Sequence, residues 1–228
     1  MSEVSGGKIA LVPTPIGNLG DITLRAIEVL READRIACED TRRSGILLSH
    51  HGISGKSLTS LHEHNETRRA PELVAAAAAG EVIAFISDAG MPGVSDPGYR
   101  LVQACLDADV DVEVLPGPSA VLTALIGSGL PCHAFRFGGF LSVKSGKRRT
   151  AMSNAIESGE TGIFFESPHR IMSTLEILKE IAPEAKVCVA RELTKKFETY
   201  HRGTAGEILE WFQTNGTKGE MVILMNKG

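Results

Sequence analysis

Aromatic residues are sparse, at 5% of the 228 positions, with one Trp and two Tyr. Cysteine is scarcer still, with Cys38, Cys105, Cys132 and Cys188 far apart and no C-x-x-C pair. A zinc cluster or a redox dithiol is therefore not expected, and reduced, mostly buried thiols are. No apolar run approaches the ~20 residues that cross a bilayer, and the opening MSEVSGGK lacks the apolar core of a secretory leader. The expected location is the cytoplasm. An excess of positive charge is also missing: 24 Lys and Arg face 28 Asp and Glu, a formal charge of −4. The broad positive field of a chain with pI above about 9 is absent, so any polyanion must be held by a local patch. What is present is ordinary globular material, 43% hydrophobic and 23% charged, which excludes disorder and collagen-like structure. The length suits one large domain or two small ones.

Short β-branched runs alternate with helical patterns along nearly the whole chain. Strands are expected at 8–13, 35–38, 82–87 and 111–115, then at 135–141, 162–166, 186–190, 199–203 and 221–225. Helices are expected at 21–31, 71–79, 97–108, 147–157, 169–182 and 205–213, with another after Pro116-Gly117-Pro118-Ser119. This is an α/β chain. The Pro/Gly turn at 116–118 divides it into expected domains 1–116 and 117–228.

Three loops, each following an expected strand, hold more Gly and Pro than a chain reversal needs, and in α/β sheets that edge binds ligands. Pro13-Thr14-Pro15-Ile16-Gly17-Asn18-Leu19-Gly20-Asp21 matches neither phosphate-loop nor dinucleotide fingerprints, and Asp21 is an N-cap candidate. The second loop runs from Ser87 to Gly98 and holds Asp88 and Asp96. Asp96 before Pro97 suits a helix cap, whereas mid-loop Asp88 has no such local duty and points to a ligand. The third is Pro116-Gly117-Pro118-Ser119-Ala120. His62-Glu63-His64 lacks partnered metal-ligand spacing, so no metal is expected. Trp211 falls among apolar helix positions and is expected in the core.

The strings TPIGNLGD, CEDTRR, SDAGMPGVSDPG, LPGPSA, GGFL, FFESPHR and RELTKKFE, in this order, resemble the small-subunit ribosomal RNA methyltransferase I group of the tetrapyrrole-methylase-like superfamily. The resemblance covers about Lys8 to Met225. It implies a two-domain fold with S-adenosylmethionine in the interdomain cleft, methylating the ribose 2′-oxygen of a cytidine in the decoding region of 16S ribosomal RNA, free or in the small subunit. It also implies a homodimer. Longer members carry a helical extension after the last strand. The implied donor contacts are Pro13, Ser87, Asp88, Ala89, Gly90, Met91, Ser119, Ala120, Phe165 and Ala190, with Glu166 and Arg191 beside them. No metal is required.

A ribose hydroxyl is a weak acid, so a nearby group must take its proton; Asp40 and Glu166 lead, followed by His169 and Glu192. For RNA, residues 114–156 contain no Asp or Glu while Lys144, Lys147, Arg148 and Arg149 sit together. They are expected on a flexible loop contacting phosphates, with Arg42 and Arg43 as a second basic pair. Two alternatives stand: a methylase of a small tetrapyrrole, and a non-enzymatic RNA-binding or ribosome-assembly protein.

Overall fold

A computed structural model describes residues 6–228; the stretch read for a leader falls largely outside them. The chain divides into two compact units, one ending at Ser119 and one running from Ala120 to Gly228.

The first unit contains β1 (Lys8–Leu11), α1 (Leu24–Glu32), β2 (Arg35–Cys38), α2 (Thr41–His50), β3 (Ser57–Ser60), α3 (Glu66–Ala78), β4 (Val82–Ile86), α4 (Tyr99–Asp107) and β5 (Asp111–Val114). Its sheet has the order β3-β2-β4-β1-β5, and every pairing is parallel. Strands covered on both faces must be apolar on both sides, and VIAFI in β4 is buried at four of five positions. Alternate residues feed two cores. Ala10, Ile36, Cys38 and Ile86 pack with Ala26 and Leu30 of α1 and Leu47 and Leu48 of α2. Leu11, Ala37 and Phe85 pack with Leu73 and Val74 of α3 and Leu101 and Cys105 of α4.

The second unit runs α5 (Ala120–Ser128), β6 (Phe135–Phe140), α6 (Ser145–Glu157), β7 (Thr161–Glu166), α7 (Ile171–Ile181), β8 (Lys186–Arg191), β9 (Thr199–Gly203), α8 (Ala205–Asn215) and β10 (Met221–Asn226). Its order is β6-β7-β10-β8-β9. Only β6 and β7 are parallel; β10 is antiparallel to both neighbours, as β8 is to β9. Met152, Leu175, Leu178, Ile208 and Phe212 from α6, α7 and α8 fill one core against Val187, Val189 and Ile223, and α5 packs on β8, β9 and β10. Trp211 packs at the edge of that core, its ring 3.7 Å from that of His201.

Several local expectations change. No strand is expected at β3, and of α2 only the end, at His50-His51, is expected. Asp21 does not cap α1: Thr23 does, accepting from Ala26 N at 3.0 Å. Asp96 does not cap α4, whose N-cap is Gly98. Three cysteines are buried, and Cys132 is exposed. Among the described residues no helix is long and apolar enough to cross a membrane.

Candidate active site

In the first unit α2 leaves β2 over one face and α4 leaves β4 over the other. The chain therefore parts above the carboxyl ends of adjacent strands β2 and β4, which is where a parallel sheet opens a crevice for ligands. Glu39 and Asp40 follow β2 there, and Ser87 and Asp88 follow β4. The loop after β1 is strapped across: Thr14 N donates to Gly90 O at 3.0 Å, Gly90 N donates to Thr14 O at 2.9 Å, and the Thr14 hydroxyl donates to Ser87 O at 3.2 Å. Gly90 holds φ +77°, and a Cβ on it would come within 3.3 Å of Ile16. Left-handed backbone and close approach are both glycine properties. Beneath this strap is a cavity of about 200 Å³ lined by Thr14, Arg43, Ser44, Ile86, Ser87 and Asp88. That is smaller than the roughly 300–1,000 Å³ of drug-sized sites, so it suits one end of an extended ligand.

The carboxylates at this edge differ sharply. Asp88 joins two loops: its Oδ1 accepts from Asp40 N at 3.1 Å and its Oδ2 pairs with Arg43 at 3.3 Å. It caps nothing in its own loop; both partners come from the distant start of α2. Asp40 caps α2, accepting from Arg42 N at 2.8 Å, and the Arg42 guanidinium grips both its oxygens. That grip holds the Asp40 carboxyl at about 2, which makes it a poor proton acceptor near neutrality. Asp96 goes the other way. Burial, reinforced by the Glu39 charge, pushes it up to about 6. Glu39 is raised too, by burial and then by Asp88. The Ser87 hydroxyl is buried beside these groups without a hydrogen bond of normal geometry. Glu39 and Asp96 are the residues that sequence reasoning passed over in favour of Asp40. Their adjacency needs the β2 and β4 ends side by side, across 57 residues of chain.

In the second unit Glu166 is also not the free carboxylate expected. It is buried at 3% exposure. Its Oε2 accepts from the Thr174 hydroxyl at 2.6 Å, and its Oε1 accepts from Ser167 N at 2.6 Å and Arg170 at 2.8 Å. Both oxygens are spent on holding the turn from β7 into α7. Ala190 is fully enclosed, with its backbone between β10 and β9 and its side chain enclosed as well, so the structure removes it as a surface contact. Phe165 is half-buried, with the rings of Phe137 and Phe140 edge-on at 4.9 and 5.3 Å. Ala120 opens α5 and Ser119 precedes it. Glu192 is held by Lys195 at 3.0 Å and accepts from Glu220 N at 2.9 Å; those bonds lower its carboxyl.

The basic string is not a flexible loop. Lys144 is the N-cap of α6, and Lys147, Arg148 and Arg149 are in its first two turns. Lys144 and Lys147 are exposed, Arg149 pairs with Glu180, and Arg148 is buried at 5% exposure. Arg43 is turned to the crevice and Arg42 to Asp40.

The chain resembles known proteins along nearly its whole length. The family model described as Tetrapyrrole (Corrin/Porphyrin) Methylases matches residues 8–209. The chain is 47% identical to the ribosomal RNA small subunit methyltransferase I of Hydrogenobaculum sp. (strain Y04AAS1), covering 96% of each. It is 48% identical to the protein of the same name from Escherichia coli O157:H7, over 98% of this chain and 79% of the relative. The Vibrio cholerae protein of that name is 50% identical over 95% and 76%. Among solved structures, a diphthine synthase superposes with a TM-score of 0.74 at 15% identity, covering 96% and 90%. A cobalt precorrin-4 methyltransferase superposes with 0.72 at 16%, covering 99% and 97%; these two likenesses speak to fold alone.

Proposed function

The chain belongs to the tetrapyrrole methylase family, and from its near full-length likeness to ribosomal RNA small subunit methyltransferase I proteins we propose that it is an S-adenosylmethionine-dependent methyltransferase of small-subunit ribosomal RNA. That likeness carries the reading. The proposed acceptor is the ribose 2′-oxygen of a cytidine in 16S RNA, the setting the cytoplasm, and the working form a homodimer.

The crevice of the first unit fits one end of the donor: a strapped glycine backbone, a buried Ser87 hydroxyl without a hydrogen bond of normal geometry, and a small cavity between them. We assign Pro13, Ser87, Asp88, Ala89, Gly90 and Met91 to donor contact there, with Ser119 of the third loop; in the second unit, taken by itself, Ala120 and Phe165 keep the same assignment. When bound, S-adenosylmethionine supplies a methyl carbon activated by its sulfonium. The chain's own task is positioning, which accounts for large rate factors in displacement reactions. Asp88 fixes the loop after β4 to the start of α2, and the Thr14–Gly90 strap fixes it to the loop after β1. Asp96 replaces Asp40 and Glu166 as our assigned proton acceptor, since its pKa of about 6 leaves it ionised yet basic near neutral pH. Lys144, Lys147, Arg42 and Arg43 are assigned to RNA phosphates.

The test is incubation of the purified chain with methyl-labelled donor and either 16S RNA or small subunits, followed by nucleoside mass spectrometry. The expected product is a 2′-O-methylated cytidine. Label on a base, or none, overturns the assignment. Calorimetry showing no affinity for the donor or its demethylated product would favour the assembly-protein alternative.

A further inference from the structure

Three charged side chains are buried among the described residues: Glu66, Arg148 and Glu166. Both glutamates have partners, Glu66 three backbone amides on its Oε1 and Glu166 those described above. Arg148 differs. Its Nε and one terminal nitrogen are enclosed and have no hydrogen-bond partner, although an uncompensated buried charge is among the costliest features a fold can carry. Among the described residues no ion pair reaches it: in the same unit Glu180 holds Arg149 and Glu166 holds Arg170. Residues 114–156 supply no acid.

Arg148 is the fourth residue of the thirteen-residue helix α6, and no side chain caps that helix. The first amides of a helix have no acceptor within it, so Ser145, Gly146 and Lys147 present three N–H groups at its positive end. Long helical side chains lean toward the N-terminus of their own helix, which directs the Arg148 guanidinium to that same turn. Gly146, on the exposed side of this turn, leaves room beside the amides: a Cβ added to it would meet nothing within 4 Å. Amides, guanidinium and the exposed ammonium groups of Lys144 and Lys147 are all donors, with no acceptor among them, and a tetrahedral oxyanion accepts from several donors at once.

We infer that the first turn of α6, together with Arg148, is a built phosphate site, and that its occupant is one backbone phosphodiester of the RNA substrate. The identity of the occupant rests on the ribosomal RNA reading; the site itself does not. Lys144 and Lys147 add surface charge, while Arg148 sets where a single phosphate sits and so fixes the register of the strand.

The experiment compares the wild-type chain with Arg148→Met, which keeps the buried volume and removes the donors, and Arg148→Lys, which keeps the charge. Inorganic phosphate is titrated against chloride at constant ionic strength, following the Arg148 Nε–H resonance and the difference in Tm between wild type and Arg148→Met. The wild-type resonance should shift saturably, and phosphate should stabilise the wild type more than Arg148→Met. Binding of a small-subunit RNA transcript is then measured against salt. Arg148→Met should weaken it about tenfold and make the log–log slope shallower by about 0.7, the value of one single-strand phosphate contact, with Arg148→Lys in between. A resonance unmoved by phosphate overturns the site. A phosphate response with an unchanged RNA slope overturns the occupant and leaves an adventitious ion only. Weakened donor affinity with unchanged RNA affinity overturns it as well. Should Arg148→Met fail to fold, the wild-type titration and the Arg148→Lys slope decide alone. A chain that passes these tests yet transfers no methyl group to ribosomal RNA removes the functional reading and keeps the site.

Discussion

Carboxylates at one sheet edge can carry opposite chemistry, and the residue scale explains why. Asp40 is clamped by Arg42 at about 2, while Asp96, buried beside Glu39, is held at about 6. A carboxyl whose folded pKa exceeds its unfolded value near 3.8 binds its proton more tightly when folded. Its stabilising contribution is complete below pH 4 and is lost as pH rises through 6. Asp96→Asn should therefore raise stability at pH 7, by about 1 kcal/mol after allowing for Asp96's partial exposure. It should also flatten the pH 4–7 stability profile, read by urea denaturation at each pH; a profile unchanged from wild type would show that Asp96 is not the titrating group. In turnover, Asp96→Asn should abolish the acidic limb of the kcat/KM profile. Asp88 requires a finer comparison, because it carries both a charge and a backbone acceptor. Asp88→Asn keeps an acceptor for Asp40 N and should lose donor affinity mildly, whereas Asp88→Ala frees the loop and should lose about tenfold or more by calorimetry. Equal affinities for both variants and wild type would remove Asp88 from the site.

At the scale of elements, helix starts decide the shape of the crevice loop. The Oε1 of Glu66 in α3 accepts from Gly98, Arg100 and Leu101 amides at 2.8, 3.1 and 3.2 Å, so a neighbouring helix caps α4. Gly98 makes this possible: it holds φ +134°, and a Cβ there would press on Phe85 and Gly93. Glu66→Ala strands buried amides and should cost about 2–3 kcal/mol, with Glu66→Gln closer to wild type; urea unfolding followed by circular dichroism measures both. A loss below about 0.5 kcal/mol would mean water replaces the cap. This pairing also marks what could be read in the sequence. Periodicity located Arg35–Cys38 and Thr199–Gly203 and placed other strands within a residue or two; most are buried and announce themselves by apolar runs, although β9, TYHRG, has no buried position. It caught only the end of α2, at His50-His51, because Gly45 and a polar first turn blur the apolar stripe, and it missed β3, a four-residue edge strand. It misassigned caps because Asp21 and Asp96 looked right locally, while Thr23 and the distant Glu66 do the work. The same cause hid Glu39 and the confinement of Glu166: partners far along the chain set a carboxylate's role.

For the whole molecule, total charge is a poor guide to polyanion binding, since a field falls off within about 10 Å at 0.1 M salt. The sequence already showed that a formal −4 conceals an acid-free basic stretch; the structure moves that stretch from a loop onto a rigid helix start. Strand register then supplies a control. In the second sheet Phe140 pairs with Phe165 near the carboxyl end of β7, and α6 begins five residues after Phe140. Lys186 pairs with Asn226, so Lys186 and Lys227 lie at the opposite end. Lys144→Gln with Lys147→Gln, and Lys186→Gln with Lys227→Gln, both take the formal charge from −4 to −6. Only the first pair should matter: its log–log salt slope for RNA should become shallower by about 1.4, at about 0.7 per lost contact, with donor affinity unchanged. The second pair should bind RNA as the wild type does. Equal slopes for the two double variants would mean that RNA responds to the molecule's total charge, and that the start of α6 is ordinary solvated surface.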